Sequence, residues 1–349
     1  NLFYSAQCRS EADWLVGLNV TRALTCKFNA QLTAGRVQTP TLAMIVEREN
    51  EIRKFVPKDY WSINAGFNGF TIQWQDKFSG QTRIFDKKKA DDIVAKVTGQ
   101  TGQVVEVKKE SKQDLPPLAY DLTELQRDAN KRFGYSAKQT LNIMQKLYET
   151  HKLVTYPRTD SRYITDDIVP TLTERLKNIA VGPYAKPAQN ILRNKIVVTK
   201  RLVDNSKVSD HHAIIPTEQY VNLASLSHEE RNIYDLIVKR FLAVLNPPFE
   251  YEQTTVKVEV KGETFIAKGK IIKSLGWKSI YEDFDKLDEE DDGDNSQSLP
   301  EIKQGQKASL TFVKLVNGKT KPPARYTEAT LLSAMEHPGK FVENKALRE

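Results

Sequence analysis

One short segment carries an unusual concentration of reactive polar side chains. Residues 153–164 read Leu-Val-Thr-Tyr-Pro-Arg-Thr-Asp-Ser-Arg-Tyr-Ile, which puts Tyr156 beside a proline and two residues before Arg158. A tyrosine phenol has a pKa of about 10 and is a weak nucleophile at neutral pH, but a guanidinium beside it stabilises both the phenolate and a phosphate under attack. Thr159 and Ser161 could bond phosphate oxygens. The residue types alone also fit a surface loop with a half-buried tyrosine.

The charge of the chain is unevenly distributed. Its 349 residues include 52 Lys and Arg and 45 Asp and Glu, a net charge of +7. Residues 282–294 hold nine acidic side chains and one lysine, a net charge of −8, so the other 336 residues carry +15. An excess of Lys and Arg favours a polyanion such as nucleic acid as partner. The acidic run is typical of a solvated loop, and mimicry of nucleic acid over a basic groove is the alternative.

The sequence lacks the motifs of several functional classes. It has no GxxxxGK[ST] phosphate loop, no GxGxxG after a strand and no HExxH helix. If the partner is DNA, the chemistry should therefore need no nucleotide. Its apolar runs are shorter than the roughly 18 residues that a membrane helix needs. Two cysteines cannot build a disulfide framework, which fits a reducing cytoplasm. A start at Asn1, with neither signal peptide nor initiator Met, suggests a fragment.

Hydrophobic periodicity divides the chain into alternating helical and β stretches. The predicted order is helical at 5–54, β at 59–113, helical at 121–246, β at 255–313 and helical at 327–336. The simplest packing pairs the two β stretches in one sheet domain and inserts the central helices as a separate domain. The two terminal helical pieces would then come together.

Turn and cap residues predict where several of these elements begin or end. Hairpin turns are predicted at Asn68-Gly69 and Lys261-Gly262, capping boxes at Ser136 and Ser227, and helix starts at Thr39-Pro40 and Thr327. For Trp14 and Trp61, core packing is favoured over stacking on nucleic-acid bases.

Five segments together resemble the type IA DNA topoisomerases. Tyr156-Pro-Arg-Thr-Asp-Ser161 matches the active-site signature of that family. Four other segments follow in the family's order and resemble the helix before its DNA-contacting loop, that loop, its His motif and the return into its helical domain. They are residues 6–17, 33–40, 210–217 and 322–330. The His-His-Ala-Ile-Ile-Pro-Thr form of residues 211–217 is similar to the topoisomerase III branch.

The resemblance implies catalytic roles for Tyr156, Arg158 and His211. Tyr156 would attack a backbone phosphate of single-stranded DNA, forming a 5′-phosphotyrosine and freeing a 3′-hydroxyl that later reverses the reaction without ATP. Arg158 would hold the scissile phosphate and stabilise the transition state. His211 would assist proton transfer or hold a phosphate. A structural role is the alternative for the pair of His211 and His212, and no metal role is expected.

The resemblance also implies a set of DNA-contacting residues. Gly35 would allow close backbone approach, Arg36 would meet phosphate, and Gln38 would bond base or phosphate. The full set is Arg9, Asp13, Thr33, Ala34, Gly35, Arg36, Val37, Gln38, Thr159, Asp160, Ser161 and Arg325. A helix-surface ion pair is the alternative for the first two, and capping or packing is the alternative for the last.

The architecture implied by the resemblance is a multi-domain α+β fragment of a padlock-like ring. A helical DNA-groove domain would comprise residues 1–58 and 321–349, and a β arch domain residues 59–117 and 249–320. An inserted, winged-helix-like helical domain at 118–248 would carry Tyr156, and an acidic loop at 282–298 would belong to the arch.

The family normally begins with a Toprim domain that holds Mg²⁺ through an acidic cluster, and this sequence has no counterpart of it. The resemblance therefore implies Mg²⁺ for the full enzyme, none held by this chain, and no relaxation of DNA by this chain alone. Topoisomerase III enzymes often carry a basic decatenation loop in the arch; the acidic run at 282–294 would be the corresponding insertion, which puts that function in doubt. Expected partners are single-stranded segments of duplex DNA and a helicase, for a cytoplasmic monomer without membrane contact.

Two other functions remain open at this point. One is a single-stranded DNA-binding clamp without catalysis. The other is a different tyrosine transesterase such as a recombinase, which is disfavoured because the dispersed Arg and His residues of such a site do not occur in matching motifs.

Overall fold

The computed structural model describes residues 2–194, 196–281, 297, 299–336 and 339. The chain divides into two compact units, one of residues 1–57 and 321–349 and one of residues 58–320. Helices and antiparallel strands are both present, which confirms the predicted α+β class. The acidic run at 282–294 lies outside the described residues. Among the described helices, none is long and apolar enough to cross a membrane.

The smaller unit is helical. Its described elements are α1 (Leu2–Ala12), a π-helical segment at Asp13–Leu18, α2 (Asn19–Phe28), α3 (Gln38–Lys54) and a last helix at Glu328–Glu336. Because α3 already begins at Gln38, the predicted start at Thr39-Pro40 is wrong. The Thr39 hydroxyl instead accepts a hydrogen bond from the Gly35 N–H at 3.0 Å and so shapes the loop before the helix.

Two further predictions concern side chains of this unit. The Thr327 hydroxyl accepts a hydrogen bond from the Thr330 N–H at 3.2 Å, which confirms it as the cap of the last helix. Trp14 is 66 % exposed, so the expected core packing is wrong for this residue. Trp61, which belongs to the larger unit, does pack against a hydrophobic core.

Strands of the larger unit close into an antiparallel barrel. The described strands are β1 (Asp59–Phe67), β2 (Phe70–Trp74), β3 (Thr101–Asp114), β4 (Phe249–Val260), β5 (Glu263–Ser274) and β6 (Lys307–Lys319). Around the barrel they follow the order β1-β2-β5-β4-β3-β6. The β3–β4 and β1–β6 pairs join strands from the two separate β stretches of the sequence. A helix, α4 (Lys87–Val97), buries one face in the core of the barrel.

Two tight turns join neighbouring strands of the barrel. Asn68 and Gly69 have φ angles of 48° and 85° between β1 and β2, and Lys261 and Gly262 have φ angles of 50° and 82° between β4 and β5. Positive φ at both central residues is typical of turns that match the twist of paired strands. Both predicted hairpins are therefore confirmed.

The remaining helices of the larger unit surround a second hydrophobic core. They are α5 (Leu122–Phe133), α6 (Ala137–Glu149), α7 (Leu172–Asn178), α8 (Ala185–Arg193) and α9 (His228–Val244). Leu125, Met144, Leu147 and Phe241 are buried in this core. Each such side chain stabilises the fold by about 1.5–3 kcal/mol relative to an exposed position.

The capping boxes of α6 and α9 differ. The Ser227 hydroxyl accepts from the Glu230 N–H at 3.2 Å and the Glu230 carboxylate accepts from the Ser227 N–H at 2.8 Å, which confirms the predicted box. Ser136 caps α6 by accepting from the Gln139 N–H at 3.1 Å. The Gln139 side chain donates to the Glu229 carboxylate at 2.9 Å rather than returning to the cap. The second half of that box is therefore wrong, because a charged acceptor lies within reach.

Candidate active site

The segment around Tyr156, which follows α6, lies beside the histidine segment at 210–217 in the structure. Val154 pairs in antiparallel fashion with Pro216, and the Thr155 N–H donates to the Ile215 carbonyl at 3.0 Å. The Thr155 hydroxyl also donates to the Ala213 carbonyl at 2.9 Å and accepts from the Ile215 N–H at 3.0 Å. The segment that carries the tyrosine is therefore fixed to the segment that carries the histidines.

Tyr156 lies against His211. The two ring centroids are 4.1 Å apart and the ring planes are inclined by 35°. Tyr148, on the last turn of α6, meets the Tyr156 ring edge-on with a centroid distance of 5.6 Å. A pocket of about 230 Å³ opens beside the phenol and is lined by Tyr156, Thr165, Val208, Ser209, Asp210, His211 and His212. The half-buried phenol is thus oriented by aromatic contacts next to a space that could admit a substrate group.

Thr159 and Ser161 are buried, although the sequence assigns both to DNA contact. The Thr159 hydroxyl donates to the His211 carbonyl at 3.0 Å and accepts from the Ser161 N–H at 3.1 Å. The Ser161 hydroxyl donates to the Lys207 carbonyl at 2.9 Å. In this arrangement both hydroxyls shape the loop after Tyr156, and their contact with DNA stays a prediction.

Arg158 and Asp160 alternate with those buried residues and point to solvent. Both side chains are exposed, and within the described part of the chain neither forms a hydrogen bond or an ion pair. The guanidinium of Arg158 is therefore available to an anion. His212 is half-buried and its Nδ1 lies 2.9 Å from the Ala213 carbonyl, a local contact.

Sequence reasoning missed three residues of this neighbourhood. Tyr148 is predicted only as part of an apolar helix face, and Tyr163 and Lys207 carry no motif of their own. The Lys207 ammonium lies 3.3 Å from the Tyr163 hydroxyl, and this hydrogen bond raises the pKa of Lys207. Because Val208, Ser209 and Asp210 line the pocket, a positive charge lies at its border. No spacing in the sequence connects residues 163 and 207.

The loop predicted to contact DNA lies in the smaller unit. Arg36 donates to both carboxylate oxygens of Asp13, at 2.7 Å and 3.1 Å. This hydrogen bond lowers the pKa of Asp13 and raises that of Arg36. The ion pair considered as the alternative role of Asp13 therefore exists, with Arg36 as its partner. Asp13 is the first residue of a π-helical segment, and helix irregularities of this kind are often found at functional sites.

Other residues of this loop are held by main-chain contacts. The Ala34 N–H donates to the Thr21 hydroxyl on α2 at 3.0 Å, which fixes the middle of the loop. Thr33 and Val37 are exposed, and Gln38 forms the first residue of α3. The loop therefore leaves several polar groups accessible while its backbone stays anchored.

Arg325 is paired within the same unit. It donates to both carboxylate oxygens of Glu49 on α3, at 2.7 Å and 3.2 Å, and this contact lowers the pKa of Glu49. Arg48 donates to the Ala324 carbonyl at 2.7 Å and its guanidinium lies 4.3 Å from the centroid of the Tyr326 ring. These contacts join the two terminal segments of the chain.

The whole arrangement can be compared with known proteins. A family model described as DNA topoisomerase matches residues 1–339. This chain belongs to the type IA DNA topoisomerases. DNA topoisomerase 3 of Bacillus licheniformis is 54% identical over 345 residues, which are 99% of this topoisomerase chain and 47% of the relative. DNA topoisomerase 3 of Bacillus cereus is 55% identical over 352 residues, 100% of the chain and 48% of the relative.

A solved structure agrees with the sequence relatives. Full-length topoisomerase I from Thermotoga maritima superposes with a TM-score of 0.70 and 27% sequence identity, covering 96% of this topoisomerase chain and 53% of that one. The predicted family is thus confirmed by the family model, the sequence relatives and the solved structure, and its topoisomerase III branch by the sequence relatives alone. The chain spans about half the length of the curated relatives that it matches.

Proposed function

We propose that this chain supplies the strand-cleaving centre of a topoisomerase III-like enzyme, with Tyr156 as nucleophile. The observation that carries the proposal is the stacking of the Tyr156 phenol on His211 at 4.1 Å, beside a pocket and two residues before a solvent-facing Arg158. The phenol would lie where a DNA phosphate could enter. Membership of the topoisomerase family supports DNA as the substrate.

The reaction is an exchange of phosphate esters. The Tyr156 oxygen attacks phosphorus and loses its proton, the bond from phosphorus to the 3′-oxygen breaks, and that oxygen takes up a proton and leaves as a hydroxyl. The product is a 5′-phosphotyrosine. Because the new ester conserves the energy of the broken one, the 3′-hydroxyl reverses the step without ATP after another strand has passed.

Three side chains have separate tasks in this scheme. Arg158 binds the non-bridging oxygens of the phosphate and stabilises the charge that develops in the transition state. His211 keeps the phenol ring in place and provides an imidazole for holding a phosphate oxygen or moving a proton. Thr159 positions His211, because its hydroxyl donates a hydrogen bond to the His211 carbonyl.

DNA binding is proposed for the smaller unit as well. Arg36, Arg9 and the polar groups of residues 33–38 would track the phosphates of a single strand, and Arg325 would add a contact from the C-terminal segment. We assign this helical unit to a DNA-groove domain, the barrel to the arch, and the helices around Tyr156 to an inserted domain. Strand passage and relaxation belong to the full-length protein.

The residues that the structure describes offer no Mg²⁺ site. Within the described part of the chain, no group of three or more His, Cys, Asp or Glu side chains could hold a metal ion. We propose that Mg²⁺ needed by the complete enzyme is held by residues outside the described part, and no step above depends on it. A helicase partner, a monomeric state and a cytoplasmic location complete the proposal.

The nucleophile assignment is tested by trapping the covalent intermediate. Full-length protein is mixed with an end-labelled single-stranded oligonucleotide and denatured with detergent, and labelled protein is counted. Tyr156→Phe should abolish the adduct. Tyr220→Phe, at a tyrosine that is 62 % exposed and outside the pocket, is the matched control and should leave the adduct unchanged. An adduct that survives Tyr156→Phe would refute the assignment.

A second candidate function is a single-stranded DNA clamp without catalysis, which the paired Arg36 and Arg325 also fit. It predicts binding with no adduct under any condition. In both cases the logarithm of the affinity should fall with the logarithm of salt concentration, by roughly 0.7 per phosphate contacted. A flat salt response would contradict DNA binding itself.

A further inference from the structure

A buried polar network in the helical core takes no part in the chemistry proposed above. The Tyr120 hydroxyl donates to the Asp128 carboxylate at 2.5 Å. Arg240, on α9, donates to the same carboxylate at 2.6 Å and to the Tyr120 oxygen at 3.2 Å. Its guanidinium lies 4.1 Å from the centroid of the Tyr120 ring, and another of its N–H groups donates to the Leu118 carbonyl at 3.3 Å. Side chains of α5 and α9 thus hold the segment 118–120 through hydrogen bonds.

The main chain next to this network contacts both halves of the candidate active site. The Ile214 N–H, in the histidine motif, donates to the Tyr120 carbonyl at 2.7 Å. The Leu122 N–H donates at 3.1 Å to the carbonyl of Thr159, in the tyrosine motif. Residues 120–122 are therefore a direct link between the two motifs, independent of the contacts that the motifs make with each other.

The buried charges of this network are not an efficient way to stabilise the fold. Arg240 is 8% exposed, and its Nε–H has no hydrogen-bond partner among the described residues. A buried ion pair is often no more stabilising than apolar side chains of similar size, and an unsatisfied buried donor is destabilising. Burial raises the pKa of Tyr120 well above its ordinary value, so its hydroxyl stays a proton donor. These properties favour a role in fixing geometry.

We propose that Tyr120, Asp128 and Arg240 are positioning residues that set the contact between the Tyr156 and His211 rings. Their effect on catalysis rests on the function proposed above, whereas their effect on the ring contact does not. Removal of the Tyr120 hydroxyl takes away one anchor of the segment 118–122, while the contacts of Arg240 with the Leu118 carbonyl and of Arg162 with the Ala119 carbonyl stay. We expect the side chain of residue 120 to shift and the two hydrogen bonds from this segment to the site to lengthen. A small displacement of a reacting group lowers the rate steeply, while DNA binding, which uses other groups, is retained.

The chain offers a matched pair of substitutions to test this. Tyr120→Phe and Tyr184→Phe each remove one buried hydroxyl that donates to an aspartate, the second to Asp235 at 2.9 Å. Within the described part of the chain, Tyr184 makes no hydrogen bond to the two motifs or to the segment that links them. Tyr184→Phe therefore reports the loss of a buried hydrogen bond alone.

Two measurements on the full-length protein separate geometry from stability. The first is single-turnover cleavage of a single-stranded oligonucleotide, with its dissociation constant measured in parallel. Tyr120→Phe should slow cleavage about tenfold with an unchanged dissociation constant, and Tyr184→Phe should change neither. The second is the NMR shift of the His211 ring protons, which the Tyr156 ring displaces upfield. Tyr120→Phe should reduce that displacement and Tyr184→Phe should keep it.

The two measurements test the positioning role separately from the proposed cleavage function. Equal rates and equal His211 shifts in the two variants would overturn the positioning role. If wild-type protein forms no adduct, the proposed function fails, and the NMR comparison alone decides the positioning role. Asp128→Asn provides a second variant of the same network and should reproduce the Tyr120→Phe pattern.

Discussion

Thr159→Val distinguishes a positioning threonine from a DNA-binding one. Valine has nearly the same shape but can neither donate to the His211 carbonyl nor accept from the Ser161 N–H, at 3.0 Å and 3.1 Å in the structure. Ser161 is buried, so its N–H loses an acceptor that water cannot readily replace. An unsatisfied buried donor costs about 1–3 kcal/mol. We expect the free energy of unfolding of the helical core to fall by about 2 kcal/mol.

The matched control is Thr140→Val on α6. Thr140 is equally buried, and its hydroxyl donates to the Ser136 carbonyl at 3.0 Å. That carbonyl also accepts from the Thr140 N–H at 2.9 Å, so no group is left unpaired. Thr140→Val should therefore cost less than about 1 kcal/mol.

Urea unfolding and anisotropy with labelled single-stranded DNA together decide the role of Thr159. A positioning role predicts a loss of stability and of cleavage with unchanged DNA affinity. A variant that unfolds like Thr140→Val but binds DNA several-fold more weakly would refute the reasoning and restore the direct contact.

The described contacts also predict the outcome of three other substitutions. Asp13→Asn should raise affinity for single-stranded DNA at low salt by up to about fivefold, because Arg36 loses a carboxylate that competes with phosphate; anisotropy measures this, and weaker binding contradicts it. Glu230→Gln should make the free energy of unfolding, measured with urea, depend less on pH in the acid range. The hydrogen bond from the Ser227 N–H lowers the pKa of Glu230 in the folded protein. The Glu230 carboxylate therefore adds to the free energy of unfolding at pH values above its pKa in the unfolded chain, and this stabilisation is lost as the pH falls through the lowered pKa. If the free energies of wild type and variant change with pH in parallel, Glu230 makes no such contribution. Gly66→Ala should destabilise the barrel by about 1–3 kcal/mol in thermal melts, because the new methyl would lie 2.1 Å from a side-chain oxygen of β6; an unchanged melt would mean that the strands move apart freely.

Local chemistry explains which elements could be predicted. The turns at Asn68-Gly69 and Lys261-Gly262 need backbone angles that only a few residue types adopt readily. The cap at Ser227 is decided by atoms within four residues. Such features follow from neighbours in sequence and are the ones that the structure confirms.

The wrong predictions concern side chains whose observed partner or exposure is not specified by their local motif. The Gln139 side chain turned to Glu229, which is on another helix. Thr39 bonds back to the loop before it, so α3 starts earlier than its Thr-Pro signal. Trp14 has a large apolar side chain, for which core packing is favoured over base stacking, yet it is exposed. The two β stretches do pair in one sheet, as predicted. Closure of that sheet into a barrel is not predicted, because it depends on strand pairs more than a hundred residues apart, such as β3 with β4.

The sequence by itself determined the family and the chemical candidates, because the motif around Tyr156 and the segment at 210–217 are specific strings of residue types. It could not determine which hydroxyls are buried. Only the tertiary structure decided that Thr159 and Ser161 turn inward, that Tyr156 stacks on His211, and that Asp13 pairs with Arg36. The physical reason is that a side chain's role depends on its nearest polar partner, and here those partners come from segments 23 to 55 residues away.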